Sequence, residues 1–253
     1  MKTASGAWVE RQGHGIPIVF AHGLGGTGSV WEPQVRALGR GLRSLRLDLN
    51  GSGRSVIRPP LSFEGWVDDI EQALDSENIE KAHLVGHSLG TPVLQYFASM
   101  HPGRVTSLTL VGLSQADVAR KRAVLDRAKQ VRDSGMESIA DLVIRNALSE
   151  STVHEQPAVV SYVRELLMRQ DPEGYAQACE ASTGGEPVEP ERFDCPVLLI
   201  AGRDDKVSPF AVSEAFASRA KAAKLVLIEQ CGHWHTSEKP REVSDALSRF
   251  VRC

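Results

Sequence analysis

Long hydrophobic runs are missing from this sequence: no segment approaches the roughly 20 apolar residues that cross a bilayer. Residues 1–8 also lack an apolar stretch long enough for a secretory signal peptide. An excess of positive charge is missing as well, because 29 Lys and Arg stand against 32 Asp and Glu, a formal net charge of −3. Nucleic-acid binding requires a basic face. We therefore expect a cytoplasmic protein without a membrane or nucleic-acid partner.

Cysteine is scarce. The four cysteines, Cys179, Cys195, Cys231 and Cys253, show neither the paired spacing of a metal site nor the density of a disulfide framework, so we expect free thiols. No internal repeat is visible. A chain of 253 residues with 42% hydrophobic content can bury a full core, so one domain with an insertion is sufficient.

What the sequence does contain is a serine at the apex of a predicted strand, turn and helix. Gly86-His87-Ser88-Leu89-Gly90 follows the apolar run Ala82–Val85 and precedes the helix-compatible stretch Thr91–Met100. The pattern Gly-x-Ser-x-Gly in this context presents a serine hydroxyl on a tight turn, where the glycines avoid collisions of a Cβ atom with neighbouring chain. The alternative is an ordinary strand-to-helix turn in which the serine caps the helix.

A nucleophilic serine needs two partners. Its hydroxyl reacts poorly at neutral pH unless a base lies within hydrogen-bond reach and a carboxylate orients that base. Two loops that each follow an apolar strand offer candidates: Asp204 and Asp205 in the first, His233 and His235 in the second. The carboxyl ends of parallel strands meet at one edge of a sheet. The candidates therefore come together there, in the chain order Ser, Asp, His.

These motifs and their order resemble the α/β-hydrolase superfamily, with matching signals from about Ile16 to the C-terminus. The resemblance implies an α/β fold with a mostly parallel central sheet flanked by helices. It also implies that Ser88 is the nucleophile. Asp205 is similar to the family's acid, because the pattern Gly-x-x-Asp-x-x-x-Pro runs from Gly202 to Pro209. Asp204 is the alternative.

The resemblance likewise implies that His233 is the base, since it precedes Glu238 and Pro240 at the family spacing. His235 is the alternative. A His-x-His pair could also bind zinc, but no third ligand stands at a useful spacing. We therefore expect no metal.

Hydrolysis by a serine also requires donors for the negative oxygen that forms during attack, and backbone N–H groups usually supply them. Leu89 follows the serine and begins the next helix, so its N–H would face the developing charge. His22-Gly23-Leu24 ends an early strand and resembles the family's other oxyanion segment, which implies that Leu24 supplies the second donor. We expect His22 to fix this loop through its ring hydrogen bonds.

A second pattern overlaps this loop. Gly23-x-Gly25-x-x-Gly28 fits the dinucleotide fingerprint, and Asp48 lies at about the right distance to bind a ribose hydroxyl. That fingerprint must open a helix at once, whereas residues 27–29 prolong the loop before a helix signal begins at Val30. We therefore expect no organic cofactor. Asp48 instead resembles a residue of the loop that shapes the site floor in α/β-hydrolases.

Short apolar runs alternate with helix-like stretches, a pattern typical of parallel strands joined by crossover helices. The predicted strands are Ile16–Ala21, Leu42–Asp48, Ala82–His87, Val105–Val111, Val197–Ala201 and Lys224–Ile228. The predicted helices are Trp31–Leu38, Phe63–Ser76, Leu89–Met100, Phe210–Ala220 and Arg241–Val251. A short run near Trp8–Glu10 predicts a first hairpin leading into the strand Ile16–Ala21.

The stretch Gln115–Glu186 is too long for a connection and too periodic for disorder, because its apolar residues recur at helical spacing. It follows the strand after which this superfamily inserts a cap. We therefore predict a hydrolase core at 1–114 and 187–253 and a helical cap at 115–186. A cap roofs the serine and selects substrates by shape. Its apolar stripe is also consistent with simple packing on the core.

Within the superfamily, the segments Gly135–Asp141 and Asp171–Ala181 are similar to the cap of 3-oxoadipate enol-lactonases. The resemblance implies a serine hydrolase that cleaves a small carboxylic ester or lactone, with enol-lactones among the candidates. Two alternatives remain: the same triad used for carbon–carbon bond hydrolysis or peroxyacid chemistry, and a non-enzymatic ligand receptor on this fold. The residues leave the acyl group, the leaving group and the oligomeric state open.

Overall fold

A central sheet organises the structure, a computed structural model that describes residues 1–39, 41–114 and 118–252. Within those ranges seven strands form one sheet in the order β1-β3-β2-β4-β5-β6-β7. The strands are β1 (Trp8–Gln12), β2 (Ile16–Ala21), β3 (Leu42–Asp48), β4 (Ala82–His87), β5 (Val105–Val111), β6 (Val197–Gly202) and β7 (Ala223–Ile228). Neighbouring strands run parallel, except that β1 is antiparallel to β3.

Helices cover both faces of this sheet. They are α1 (Glu32–Leu38), α2 (Phe63–Ser76), α3 (Gly90–Met100), α4 (Val118–Ala147), α5 (Glu150–Glu155), α6 (Pro157–Met168), α7 (Pro172–Ala181), α8 (Phe210–Arg219), α9 (His235–Glu238) and α10 (Pro240–Val251). Apolar residues of α1 and α10 pack in one core cluster, and those of α2, α3 and α8 pack in the other. In the part of the chain that is described, no helix combines the length and apolarity needed to cross a membrane.

The inner strands explain why the sequence folds this way. Strands β4, β5 and β6 carry apolar side chains on both faces, as expected of parallel strands covered by helices on each side. Val85 and Ile200 enter one cluster, while their neighbours Leu84 and Leu199 enter the other. The predicted α/β-hydrolase fold is confirmed. The bounds predicted for β2 to β5 agree with the structure, and β6 and β7 are each one residue longer than predicted.

At the start of the chain Lys2 forms an antiparallel bridge with Trp8, but β1 does not form a hairpin with β2. Strand β1 pairs with β3, from Trp8 opposite Asp48 to Gln12 opposite Ser44. Strand β2 has parallel neighbours on both sides, β3 and β4, so neither of its edges is left for β1.

The described residues between β5 and β6 contain the four helices α4 to α7. Helix α4 breaks at Gly135, where φ is 70°, and it packs against α6 and α7. This segment meets the carboxyl edge of the sheet: Arg120 donates to the carbonyl of Val207 (3.3 Å), and Gln170 to that of Gly25 (3.3 Å). The cap as a separate unit stays a prediction, and Gln115, its predicted first residue, lies outside the described residues.

The predicted free thiols are confirmed for the cysteines that the structure describes, Cys179, Cys195 and Cys231. The fourth, Cys253, lies outside the described residues.

A substitution at the end of β6 tests how tightly two loops of this edge are packed. A Cβ on Gly202 would lie 2.3 Å from the carbonyl oxygen of Cys231, a backbone atom that cannot turn away. We expect Gly202→Ala to lower the free energy of unfolding by about 2 kcal/mol, because overpacking forces the backbone to shift. Urea unfolding measures this. Gly103→Ala is the control, since nothing lies within 4 Å of its added Cβ. Equal stability of the two variants would contradict the close approach.

Candidate active site

Ser88 stands on a strained turn between β4 and α3. Its φ is 50°, in the left-handed region that serine rarely adopts. The glycines on either side are required by contact, because a Cβ on Gly86 would lie 2.5 Å from the carbonyl oxygen of Gly90. A Cβ on Gly90 would lie 2.4 Å from that of Ala21. The close packing of strand, turn and helix thus holds Ser88 in a backbone conformation that would be unfavourable without those contacts.

Three side chains from distant parts of the chain meet at this turn. His233 Nε2 lies 2.8 Å from Ser88 Oγ, and His233 Nδ1 lies 2.8 Å from Asp205 Oδ2. A carboxylate only accepts, so Nδ1 carries the proton and Nε2 is free to accept from the serine hydroxyl. The other oxygen of Asp205 accepts from the N–H groups of Val207 and Ser208, both at 2.8 Å. The arrangement orients Nε2 of the imidazole toward the Ser88 hydroxyl.

Asp205 is held as a carboxylate. Burial alone would raise its pKa, but the charge and hydrogen bond of His233 oppose burial, aided by His235 and the Ser208 N–H. Together they hold the pKa of Asp205 well below its usual range. The carboxylate is therefore ionised at neutral pH and can stabilise a protonated His233.

The two alternatives from the sequence lie elsewhere. Asp204 is exposed, and its N–H donates to the carbonyl of Cys231. His235 is buried, and its Nδ1 donates to the carbonyl of His233 (2.7 Å). Its Nε2 lies 3.7 Å from Asp205 Oδ2 and has no hydrogen-bond partner. The structure thus brings Asp205 and His233, not Asp204 and His235, to Ser88.

Sequence reasoning missed His87. Its Nε2 donates to the carbonyl of His233 (2.7 Å), the same oxygen that His235 binds. Burial, reinforced by His233 and His235, holds the pKa of His87 well below its usual value. The sequence signal for His87 was its position in the Gly-x-Ser-x-Gly motif, but nothing in the sequence indicated which group it binds.

His87 is also the third histidine of a cluster with His233 and His235, whose candidate ligand atoms lie within 4.8 Å of one another. Because Ser88 and Asp205 engage both nitrogens of His233, a metal there would have to displace one of those contacts.

Glu238 holds the loop that carries His233. Its Oε1 accepts from the N–H of Trp234 (2.9 Å), and its Oε2 from that of Gly232 (3.1 Å). The same Oε2 accepts from the N–H of Ser149 (2.9 Å), the residue that caps α5. The spacing between His233 and Glu238, which resembles that of the family, therefore has a structural reason. It lets the Glu238 carboxylate bind the backbone on both sides of His233, at Gly232 and Trp234.

The predicted oxyanion donors lie on either side of the serine. Leu89 follows Ser88 directly, and the loop before Leu24 touches the serine, since a Cβ on Gly23 would lie 2.8 Å from Ser88 Cβ. Among the described residues, neither the Leu24 N–H nor the Leu89 N–H has a hydrogen-bond acceptor. His22 fixes this loop as expected: its Nδ1 donates to the carbonyl of Gly23 (2.8 Å), and its Nε2 accepts from the Leu49 N–H (2.9 Å).

Asp48 has a structural role. Its buried carboxylate accepts from the N–H of Gly28 (2.8 Å) and from that of Arg54 (2.9 Å). Gly28 begins a short 3-10 turn that precedes α1. In a dinucleotide site, the Gly28 N–H and the Asp48 carboxylate would each bind the ligand. Here they bind each other and join two loops.

A cavity of about 310 Å³ reaches Leu89, the residue after the serine, although neither Ser88 nor His233 lines it. Its walls include Leu24 and Leu89 with the apolar side chains of Leu113 and Val124. Val124 belongs to α4, so the segment between β5 and β6 forms part of this wall. The cavity can hold a small organic group next to the predicted oxyanion donors.

The buried histidines generate a prediction about pH. Burial lowers the pKa of His22, His87 and His235 from the usual value of 6.5. Between that value and the lower folded pKa, the unfolded chain binds protons that the folded chain does not. The contribution of these imidazoles to the free energy of unfolding is therefore complete above pH 6.5. It decreases as pH falls, by up to about 1.4 kcal/mol per pH unit for each imidazole.

Urea unfolding at pH 7, 6 and 5 measures this slope. We expect His235→Asn, which keeps a donor near the position of Nδ1, to make the slope shallower. The same exchange at the exposed His154 controls for the loss of an imidazole. If His235→Asn leaves the dependence of the unfolding free energy on pH unchanged, His235 does not contribute to that dependence.

Known proteins share this architecture. The sequence profile described as the alpha/beta hydrolase fold matches residues 16–240. A Caulobacter sp. (strain K31) protein provisionally named carbamate hydrolase RutD is 29% identical, over 92% of this chain and 90% of that protein. A thermophilic esterase from Thermogutta terrifontis, solved with malate bound, is 28% identical with a TM-score of 0.91, covering 97% of this chain and 93% of its own.

The enol-lactonase from Burkholderia xenovorans LB400 is 26% identical, also with a TM-score of 0.91, covering 98% of this chain and 96% of its own. The predicted resemblance to enol-lactonase-like hydrolases is thereby confirmed. The profile match spans most of the sequence and agrees with the sheet order and the turn at Ser88. The chain belongs to the α/β-hydrolase fold family.

Proposed function

We propose that this protein is a serine hydrolase that cleaves carboxylic ester or lactone bonds, with Ser88, His233 and Asp205 as its catalytic residues. One observation carries the proposal: the hydrogen-bonded line from Ser88 Oγ through His233 to Asp205, with both contacts at 2.8 Å. The positive φ of Ser88 supports it, because a strained serine at the end of a parallel strand is typical of a presented nucleophile.

The chemistry follows from these contacts. His233 Nε2 takes the hydroxyl proton as Ser88 Oγ bonds to the carbonyl carbon, and Asp205 stabilises the imidazolium. The N–H groups of Leu24 and Leu89 bind the negative oxygen of the tetrahedral intermediate. Its collapse breaks the bond to the leaving oxygen, which receives the proton from His233. Water, deprotonated by the same imidazole, then bonds to the acyl carbon; the bond to Ser88 Oγ breaks, and the imidazole returns the proton to Oγ, releasing the free acid.

Two solved relatives support an ester or lactone substrate. An esterase and an enol-lactonase are among the solved structures with a TM-score of 0.91. The provisionally named carbamate hydrolase indicates a second candidate, in which the same nucleophile attacks a carbonyl that bears nitrogen. The leaving atom is then nitrogen, so protonation by His233 becomes more demanding. The segment at 115–186, as a cap, would limit the substrate to the size of the cavity.

Removing triad members tests the mechanism. We expect Ser88→Ala and His233→Ala each to lower kcat for p-nitrophenyl acetate by at least about 10³-fold, since loss of either member stops proton transfer to the nucleophile. Ser218→Ala, an exposed serine on α8, is the matched control and should keep wild-type turnover. Thermal unfolding verifies that each variant folds. If Ser88→Ala retains wild-type turnover, Ser88 is not the nucleophile.

Labelling with a fluorophosphonate distinguishes an enzyme from a ligand receptor. We expect the probe to modify Ser88, because only an activated hydroxyl reacts quickly. Peptide mapping locates the adduct, and His233→Ala should abolish labelling. An adduct on another serine, or none, would contradict the proposal. A panel containing an enol-lactone, a simple acyl ester and a carbamate then ranks the bond types by kcat/KM.

A further inference from the structure

Gln170 joins the segment between β5 and β6 to the loop that carries Leu24, one of the predicted oxyanion donors. It lies between α6 and α7 and is only 4% exposed. Its Nε2 donates to the carbonyl of Gly25 (3.3 Å) and to that of Leu166 (3.0 Å). Its Oε1 accepts from the N–H of Gly53 (3.4 Å). One amide therefore contacts three pieces of backbone: helix α6, the loop after β2 and the loop after β3.

These partners fix the orientation of the Gln170 amide. A carbonyl oxygen only accepts, so the NH2 end faces Gly25 and Leu166, and the amide oxygen faces the N–H of Gly53. Gln170 Nε2 and the Gly25 carbonyl are both buried, so water does not readily replace the bond between them. Loss of the amide would therefore change how the Gly25 carbonyl is held.

The Gly25 carbonyl belongs to a peptide unit that closes a turn. The same unit carries the N–H of Gly26, which donates to the carbonyl of Gly23 (3.0 Å). The φ of Gly25 is 76°, as the third residue of a type II turn requires. The turn lies against α6, because a Cβ on Gly25 would be 2.3 Å from Leu167 Cδ2. Gln170 thus holds one of the two peptide units that this turn joins.

The Gly23 carbonyl sets the direction of the Leu24 N–H. Both groups belong to one planar trans peptide unit, in which C=O and N–H point in opposite directions. The Gly23 oxygen accepts from the N–H of Gly26 and from His22 Nδ1 (2.8 Å). The Leu24 N–H therefore points away from both of these donors. Its direction depends on the bonds that hold the Gly23 carbonyl on the other side of the unit.

We propose that Gln170 is a positioning residue, which orients the Leu24 N–H toward the oxygen of the reacting carbonyl. The inference rests on the proposed hydrolase function and adds to it a residue outside the triad. Two peptide units transmit the contact: Gln170 holds the unit between Gly25 and Gly26, and that unit holds the one between Gly23 and Leu24. Hydrogen bonds in such a chain also polarise one another, which strengthens the last donor. The oxyanion site is then complete only when the α6–α7 junction is packed on this loop.

Two ketones of equal length separate oxyanion binding from binding of the neutral molecule. Ser88 Oγ bonds to the carbonyl carbon of 1,1,1-trifluoropentan-2-one, and the hydroxyl proton passes to His233 Nε2. The carbonyl oxygen becomes an anion that the N–H groups of Leu24 and Leu89 bind. Pentan-2-one is the counterpart that binds without this addition. The ketone ratio is the Kd of pentan-2-one divided by that of the trifluoro ketone, both measured by calorimetry.

We expect Gln170→Met to lower the ketone ratio, and also kcat for p-nitrophenyl acetate, by about 10-fold. Complete loss of an oxyanion donor costs roughly 10²- to 10³-fold in kcat. The effect is smaller here because the Leu24 N–H remains and His22 still binds the Gly23 carbonyl. The Kd of pentan-2-one should not change, since the neutral ketone does not need the anion site. Methionine has a similar length and no hydrogen-bonding group to replace the amide.

Tyr162→Phe is the matched control for packing of α6. Tyr162 Oη lies 3.3 Å from Ser29 Oγ, so this variant removes another contact of α6 without altering the path from Gln170 to Leu24. Its ketone ratio should equal that of the wild type. Equal falls in Tyr162→Phe and Gln170→Met would overturn the proposal in favour of loosened packing. The same holds if Gln170→Met raises the Kd of both ketones by one factor.

Thermal unfolding verifies that Gln170→Met folds. If it does not, Gln170→Glu at pH 8 decides the question, because a carboxylate keeps the acceptor for Gly53 but cannot donate to Gly25. The ketone ratio of that variant should also fall by about 10-fold, and an unchanged ratio would overturn the proposal.

The two proposals fail in different ways. If the wild-type protein neither cleaves p-nitrophenyl acetate nor binds the trifluoro ketone more tightly than pentan-2-one, the hydrolase function fails, and the positioning role fails with it. If the wild type does both and Gln170→Met keeps the wild-type ketone ratio, only the positioning role fails and hydrolysis stands.

Discussion

The position of His233 is the constraint on which the rest of the site depends. Its side chain must reach Ser88 and Asp205 at once, so its backbone has to be held from several directions. The carbonyl oxygen accepts from His87 and His235, and the N–H donates to the carbonyl of Ala147 at 2.6 Å. Both backbone groups of the histidine are therefore used, one toward the sheet and one toward α4.

Burial produces a site with few charges. His22, His87 and His235 are buried as neutral imidazoles because a protonated ring would lose its hydration, and their ring nitrogens act as structural donors and acceptors. Asp205 is the exception, since backbone N–H groups and His233 stabilise its negative charge. His233 is the imidazole that faces both the carboxylate and the serine.

Helix α4 connects this site with the segment between β5 and β6. Its C-terminal end, at Ala147, binds the backbone of His233, and its N-terminal half carries Val124 on the cavity wall. Paired arginines such as Arg132 join α4 to α7 at the surface, where the charges remain in contact with water. The same helix thus holds the backbone of His233 and lines the cavity.

The sequence by itself determined the strands of the sheet, the turn at Ser88 and the chain order of the candidate residues, because apolar runs and glycine spacing are local signals. It did not determine that β1 pairs with β3, since both edges of β2 are taken only once the sheet assembles. Only the tertiary structure showed that Asp205, and not its neighbour Asp204, reaches His233, and that His87 binds the His233 carbonyl. Those features depend on distances between residues far apart in the chain, and such distances are set by the packing of loops at the sheet edge.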